Sequence, residues 1–104
     1  VHVTDLAQAH LLGLEYMQKN KEFTAFNLGN GDGFSVLEVI RSCEGVTNLP
    51  IKYRIDERRE GDPAILVADS RKAKELLGWD VKFGYLDKIV FTALDWHKNC
   101  KDEF

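Results

Sequence analysis

Two guanidiniums, three carboxylates and a glycine fall within seven residues, Glu57-Arg58-Arg59-Glu60-Gly61-Asp62-Pro63. A guanidinium carries five N–H donors in a rigid fork that meets phosphate oxygens two at a time. A carboxylate two or three residues further on can hold that fork or accept from a sugar hydroxyl. The cluster follows Ile51-Lys52-Tyr53-Arg54-Ile55, whose alternation predicts a short strand. It precedes the apolar run Ala64-Ile65-Leu66-Val67-Ala68, which ends in the helix-cap signal Asp69-Ser70. The cluster therefore lies where a strand gives way to a loop, a usual place for binding groups. Two readings stay open at this level. One is a site for a phosphorylated, hydroxyl-rich ligand; the other is a solvated charge cluster with internal ion pairs.

Other chemistry is conspicuous by its spacing. A Tyr and a Lys one helical turn apart, the proton-transfer couple of short-chain dehydrogenases, do not occur: Tyr16 is followed four residues on by Asn20, Tyr53 by Glu57 and Tyr85 by Ile89. No Ser stands in a G-x-S-x-G context. Gly29, Gly31 and Gly33 lie between a predicted strand and a helix, with Asp56 further on, which invites a dinucleotide-binding reading. That fingerprint needs its last glycine where Phe34 stands, so that helix and strand can pack closely. We therefore read these glycines as a turn that takes positive φ ahead of a capped helix. His2 and His10 have no partner at metal-ligand spacing and are read as structural or surface residues.

The elements that must position these groups follow from pattern. Thr4-Asp5 predicts a helix N-terminus, with Leu6, Ala9, Gly13, Leu14 and Met17 at helical spacing to about residue 19. Phe23 to Leu28 reads as a strand, apolar enough to be buried on both faces. Ser35 with Glu38 forms a capping box for a helix from Val36 to about Cys43, which Glu44-Gly45 ends. Asp69-Ser70 caps a helix from Arg71 to about Leu77, stopped at Gly78, with Ala73, Leu76 and Leu77 on one face. Leu86-Asp87 opens the last helix, and Lys98 to Phe104 reads as a polar tail that frays. Trp79 and Trp96 are read as core plugs, and His97 as a complement to the dipole of the last helix.

At 104 residues the chain suffices for one small domain, and 44% hydrophobic content excludes disorder. A net charge of −3 without a basic stripe argues against nucleic acid. No apolar run approaches the roughly 18 residues of a membrane span. Cys43 and Cys100 stand far apart in no metal or redox motif, which suits a cytoplasmic protein with incidental thiols. The chain opens inside an apolar strand, Val1-His2-Val3, and we expect it to be a piece of a longer protein.

Four stretches occur together in order: Val1-His2-Val3-Thr4-Asp5-Leu6-Ala7, Phe26 to Val36, Arg58-Arg59-Glu60-Gly61-Asp62-Pro63-Ala64, and Ala68-Asp69-Ser70 with Lys72-Ala73 and Leu77-Gly78-Trp79. Over residues 1 to about 97 this resembles the C-terminal part of the UDP-glucose 4-epimerases, extended members of the short-chain dehydrogenase family. Arg-Arg-Glu-Gly-Asp is the discriminating motif; the others resemble many nucleotide-sugar enzymes.

The resemblance implies an α/β fold, α+β in isolation, with about four helices and two or three short strands. It implies that residues 1–29 close the edge of a cofactor domain, residues 30–97 form a substrate lobe, and residues 98–104 are the tail. It implies interconversion of UDP-glucose and UDP-galactose through a 4-keto intermediate, with NAD held by the domain preceding Val1 and none by this chain. Arg59 would meet the diphosphate and Asp62 the uridine ribose; Arg58 matches the motif with no ligand role to carry over, and is the weaker candidate. The chain itself holds no catalytic residue and alone would be inactive. The parent would be a cytoplasmic homodimer with no nucleic-acid or membrane partner.

Two departures bear on the site. The family's Arg-Asp-Tyr, whose Arg also meets the diphosphate, would precede Val1. Leu66 stands where some members place a Tyr four residues beyond the motif Asp. The alternatives are a stand-alone nucleotide-sugar-binding module, or part of a related dehydratase or decarboxylase. In isolation the 23–28 strand would need cover, by self-association or by pairing with Val1 to Val3.

Overall fold

The computed structural model describes residues 1–100, and the end of the predicted tail, residues 101–104, lies outside the described residues. Four helices follow in order: α1 (Val3–Lys19), α2 (Val36–Thr47), α3 (Arg71–Leu77) and α4 (Leu86–Asn99). α1 packs on α3 and α2 on α4.

Helix α1 begins earlier than Thr4-Asp5 suggests. His2 is its N-cap, and the ring Nδ1 accepts from the Thr4 N–H at 3.1 Å. That fixes the tautomer, so Nε2 donates to Thr92 Oγ1 at 2.9 Å. His2 is buried and stacked on Phe83 with ring centroids 4.7 Å apart, a structural residue. Helix α2 has its predicted capping box: Ser35 Oγ accepts from the Glu38 N–H at 3.2 Å, and Glu38 accepts from the Ser35 N–H at 2.7 Å. It runs past Glu44-Gly45, however, and stops at Asn48, which takes the left-handed conformation at φ 55°. An internal glycine costs a helix only about 1 kcal/mol, which packing against α4 outweighs. Asn tolerates the left-handed cap that a bulkier residue would resist.

Helix α3 ends as predicted on Gly78, at φ 66°, whose N–H reaches Lys74 O while that of Trp79 reaches Ala73 O. Ser70 does not cap it; its hydroxyl donates to Gly29 O at 3.2 Å, and Asp69 accepts from the Arg71 N–H at 3.0 Å instead. Helix α4 extends through Lys98 and Asn99, which the sequence placed in the tail. His97 lies in its last turn, where a cation complements the helix dipole.

The two or three predicted strands are not formed: no strand occurs among the described residues. A strand exists only through the neighbour that takes its N–H and C=O groups. Val3 is drawn into α1 and cannot pair with residues 23–28, so the expected pairing with Val1 to Val3 fails. Those residues are held instead by side chains. Phe26 and Leu28 pack against the core, and Lys72 Nζ donates to Thr24 Oγ1 at 2.5 Å and Ala25 O at 2.9 Å. Phe23 is left 99% exposed. Residues 51–55 and 64–67 likewise form no strand, with Ile55, Ile65 and Leu66 all in solvent.

The core is small: Ala9, Ala73 and Trp79, flanked by Leu12, Phe26, Leu28, Leu77 and Val81. Alanines at 9 and 73 let α1 and α3 approach closely, and Leu76 turns outward rather than joining them. Trp79 is the plug its sequence suggests, with Nε1 donating to Asp5 O at 2.8 Å. Trp96 is not. It is half-exposed and borders an apolar cavity of about 380 Å³ between the start of α1 and α4, lined also by His2, Ile89 and Thr92. The accessible surface is 9134 Å², against about 6,000 Å² for a compact monomer of this mass. The radius of gyration is 17.0 Å, against about 13 Å for a compact domain of this length. No described helix is long and apolar enough to cross a membrane.

Candidate functional site

The 51–70 segment follows α2, crosses the surface without helix or strand and leads into α3. Within it one local structure forms. The Asp62 N–H donates to Arg59 O at 3.2 Å, and Gly61 takes φ 78°, closing a tight turn. A left-handed residue at this position is cheap only for glycine, which explains Gly61 between Glu60 and Asp62. The turn brings Arg59 and Asp62 together, with guanidinium and carboxylate 3.6 Å apart. The Arg59 side chain is 88% exposed and that of Asp62 46%. Arg54 pairs with Asp56 at 2.9 Å, whereas Arg58 makes no ion pair among the described residues. The turn thus presents one free guanidinium and one tethered guanidinium beside a carboxylate, all within reach of solvent. The internal ion pairs of the solvated-cluster reading are therefore present.

A second charged pair marks the return of the segment to α3. Arg71 donates to both Asp69 oxygens, and these hydrogen bonds, with one from the Arg71 N–H, hold the Asp69 carboxyl down at about 2. At the capping box, the bond from the Ser35 N–H is the main cause lowering the Glu38 carboxyl.

The glycine loop backs onto this segment. A Cβ on Gly29 would stand 2.9 Å from Ala68 O, and one on Gly33 2.9 Å from Val67 Cγ2. Gly31 and Gly33 have positive φ, as their sequence suggests. Two of the three glycines are therefore spent on close approach to residues 67 and 68 of the same chain. They do not form a cradle for a pyrophosphate, and these residues do not fit a dinucleotide.

The residue that most orders the scaffold escaped the sequence reading. Asp5 was read as a cap, yet it is 2% exposed and inside α1. Its two carboxylate oxygens accept from the Lys82 and Phe83 N–H groups at 3.1 and 3.0 Å, and its carbonyl accepts from Trp79. It thereby ties α1 to the connection between α3 and α4. The available signal was weak: an acid in a first helical turn suits the dipole whether or not it reaches a distant backbone.

No family model matches the chain. It is 51% identical over 98 residues to a UDP-glucose 4-epimerase of Halalkalibacterium halodurans, covering 94% of this chain and 29% of that protein. It is 43% identical over 104 residues to the Lacticaseibacillus casei UDP-glucose 4-epimerase, covering 100% of this chain and 31% of that one. A crystal structure of a UDP-glucose 4-epimerase superimposes with TM-score 0.91 at 45% identity, over 100% of this chain and 32% of that one. The Bifidobacterium longum UDP-glucose 4-epimerase, solved with NAD+ and UDP, superimposes with TM-score 0.84 at 38% identity, over 100% of this chain and 30% of that one. The chain thus spans under a third of the length of the relatives it matches. In sequence and in fold, it matches the C-terminal portion of the UDP-glucose 4-epimerases along nearly its whole length.

Proposed function

We propose that this chain is the UDP-sugar-binding portion of a UDP-glucose 4-epimerase that interconverts UDP-glucose and UDP-galactose. The observation that carries this reading is the Arg59–Asp62 turn, set in a chain whose sequence and fold match such epimerases. Arg59 supplies a bidentate donor to the diphosphate and Asp62 accepts from the ribose hydroxyls. Arg58, unpaired beside them, adds positive charge that attracts a doubly charged ligand. The nicotinamide cofactor supplies a reversible hydride acceptor and is held by residues preceding Val1, since the glycine loop of this chain does not fit it. These 104 residues also hold no Tyr-x-x-x-Lys couple, so on this reading they do not turn over substrate alone.

We infer the domain assignment from the surface that the chain leaves uncovered. Residues 1–29 complete the edge of the cofactor domain, and the 23–28 segment is a sheet strand there, which gives the parent its α/β character. The exposed Phe23 and the excess of accessible surface support this. Residues 30–97 form the substrate lobe. We place the parent in the cytoplasm as a homodimer acting in galactose metabolism, with the free thiols of Cys43 and Cys100 supporting a reducing compartment.

The test is Arg59→Ala in the full-length protein. A charge-assisted phosphate contact is worth about 1.5–3 kcal/mol, so KM for the UDP-sugar should rise about tenfold or more. Arg59→Lys should restore it only in part, because an ammonium cannot reproduce the fork. An unchanged KM in Arg59→Ala would sink the assignment.

A further inference from the structure

Residues 24–29 have no strand neighbour among the described residues, and the polar contacts that hold them come from residues 68–72. Lys72 Nζ donates to Thr24 Oγ1 at 2.5 Å and to Ala25 O at 2.9 Å, and stands 5.1 Å from the centre of the Phe26 ring. Ser70 donates to Gly29 O at 3.2 Å, and a Cβ on Gly29 would stand 2.9 Å from Ala68 O. An ammonium carries three donors and no acceptor, so one side chain grips a hydroxyl, a carbonyl and a ring face together.

We infer that Lys72 is a positioning residue, which sets the register between residues 24–29 and the segment that carries the UDP-sugar. This rests on the proposed function, in which residues 1–29 belong to the cofactor domain and the 51–70 segment to the substrate lobe. Lys72 stands on the lobe side of that seam, and its ammonium crosses it. The 51–70 segment leads directly into α3, and the glycine loop backs onto it at Val67 and Ala68. A slip of residues 24–29 along α3 therefore moves the lobe relative to the domain whose edge those residues close. The Arg59–Asp62 turn keeps its own backbone bond, so the nucleotide end of the ligand is held as before while the sugar is presented out of line. Misplacement by about 1 Å can cost on the order of a hundredfold in rate. Lys72 is exposed and Ser70 also spans the seam, so the loss on removing Lys72 is smaller, about five- to tenfold.

The experiment compares Lys72→Met, Lys72→Arg, Thr24→Val and the Lys72→Met/Thr24→Val double variant in the full-length protein. The kcat for UDP-glucose, the dissociation constant of UDP by calorimetry and the unfolding midpoint are measured for each. Lys72→Met should lower kcat about five- to tenfold, with the UDP dissociation constant within about twofold of wild type. Lys72→Arg, which keeps the charge and the donors, should recover most of the loss. Thr24→Val should lower kcat in the same direction, and added to Lys72→Met it should lower it no further, because the contact is already gone. The inference is overturned if only the midpoint falls in Lys72→Met while kcat per folded molecule is unchanged, if the UDP dissociation constant rises in step with the fall in kcat, or if the two substitutions add. The proposed function fails separately. A wild-type protein that does not interconvert UDP-glucose and UDP-galactose removes that reading and this inference with it, whereas an active wild type beside an equally active Lys72→Met removes the inference alone.

Discussion

Replacing Asp5 by Ala removes the acceptor for the Lys82 and Phe83 N–H groups and leaves both amides beside a small void. A hydrogen bond to a charged group contributes about 1.5–3 kcal/mol, and a buried donor left without a partner costs a similar amount. Part of this is offset, because the folded protein no longer has to bury a carboxylate. The net loss should be about 3–4 kcal/mol, a large share of the 5–15 kcal/mol typical of a domain. Asp5→Asn keeps the shape and one acceptor but turns an amide N–H toward a backbone N–H, and should lose about 2 kcal/mol. Urea unfolding followed by tryptophan fluorescence reads both, since Trp79 is buried and bonded to the same residue. Amide exchange supplies the local check, and Lys82 and Phe83 should lose protection in both variants beyond the global change. A loss under 1 kcal/mol in Asp5→Ala, or unchanged exchange at those two amides, would refute the view that Asp5 ties α1 to the α3–α4 connection.

The glycine loop should rank by contact as well as by φ. Gly33→Ala combines φ 78° with a clash on Val67 and should cost about 2–3 kcal/mol, while Gly31→Ala, at φ 92° in open space, should cost about 1 kcal/mol; equal unfolding midpoints for the two would remove the role given to Val67. The Asp69 carboxyl should titrate at about 2 by carbon-detected NMR. Its folded value is depressed, so whatever the Arg71 contact contributes is present above the ordinary value of 3.8 and is lost as pH falls through about 2. Arg71→Ala should return the midpoint toward 3.8, and no movement would show that Arg71 is not the cause.

That a carboxylate two or three residues on could hold an arginine fork was legible in residue types and spacing, and Asp62 does lie beside Arg59; whether the cluster binds a ligand was not, because a solvated charge cluster uses the same residues. The capping box at Ser35 and Glu38 and the stop at Gly78 were legible, since caps depend on backbone groups within a few residues. The strands were not. Residues 23–28 carry strand composition, but composition supplies no partner for their N–H and C=O groups, and none of the described residues provides one. Trp79 and Trp96 look alike in sequence; only packing decides that one fills the gap between α1 and α3 while the other borders an open cavity. Asp5 makes the same point most sharply. Its place in the first turn of α1 is local information, but its burial depends on amides 77 and 78 residues away, which nothing near it in the chain could announce.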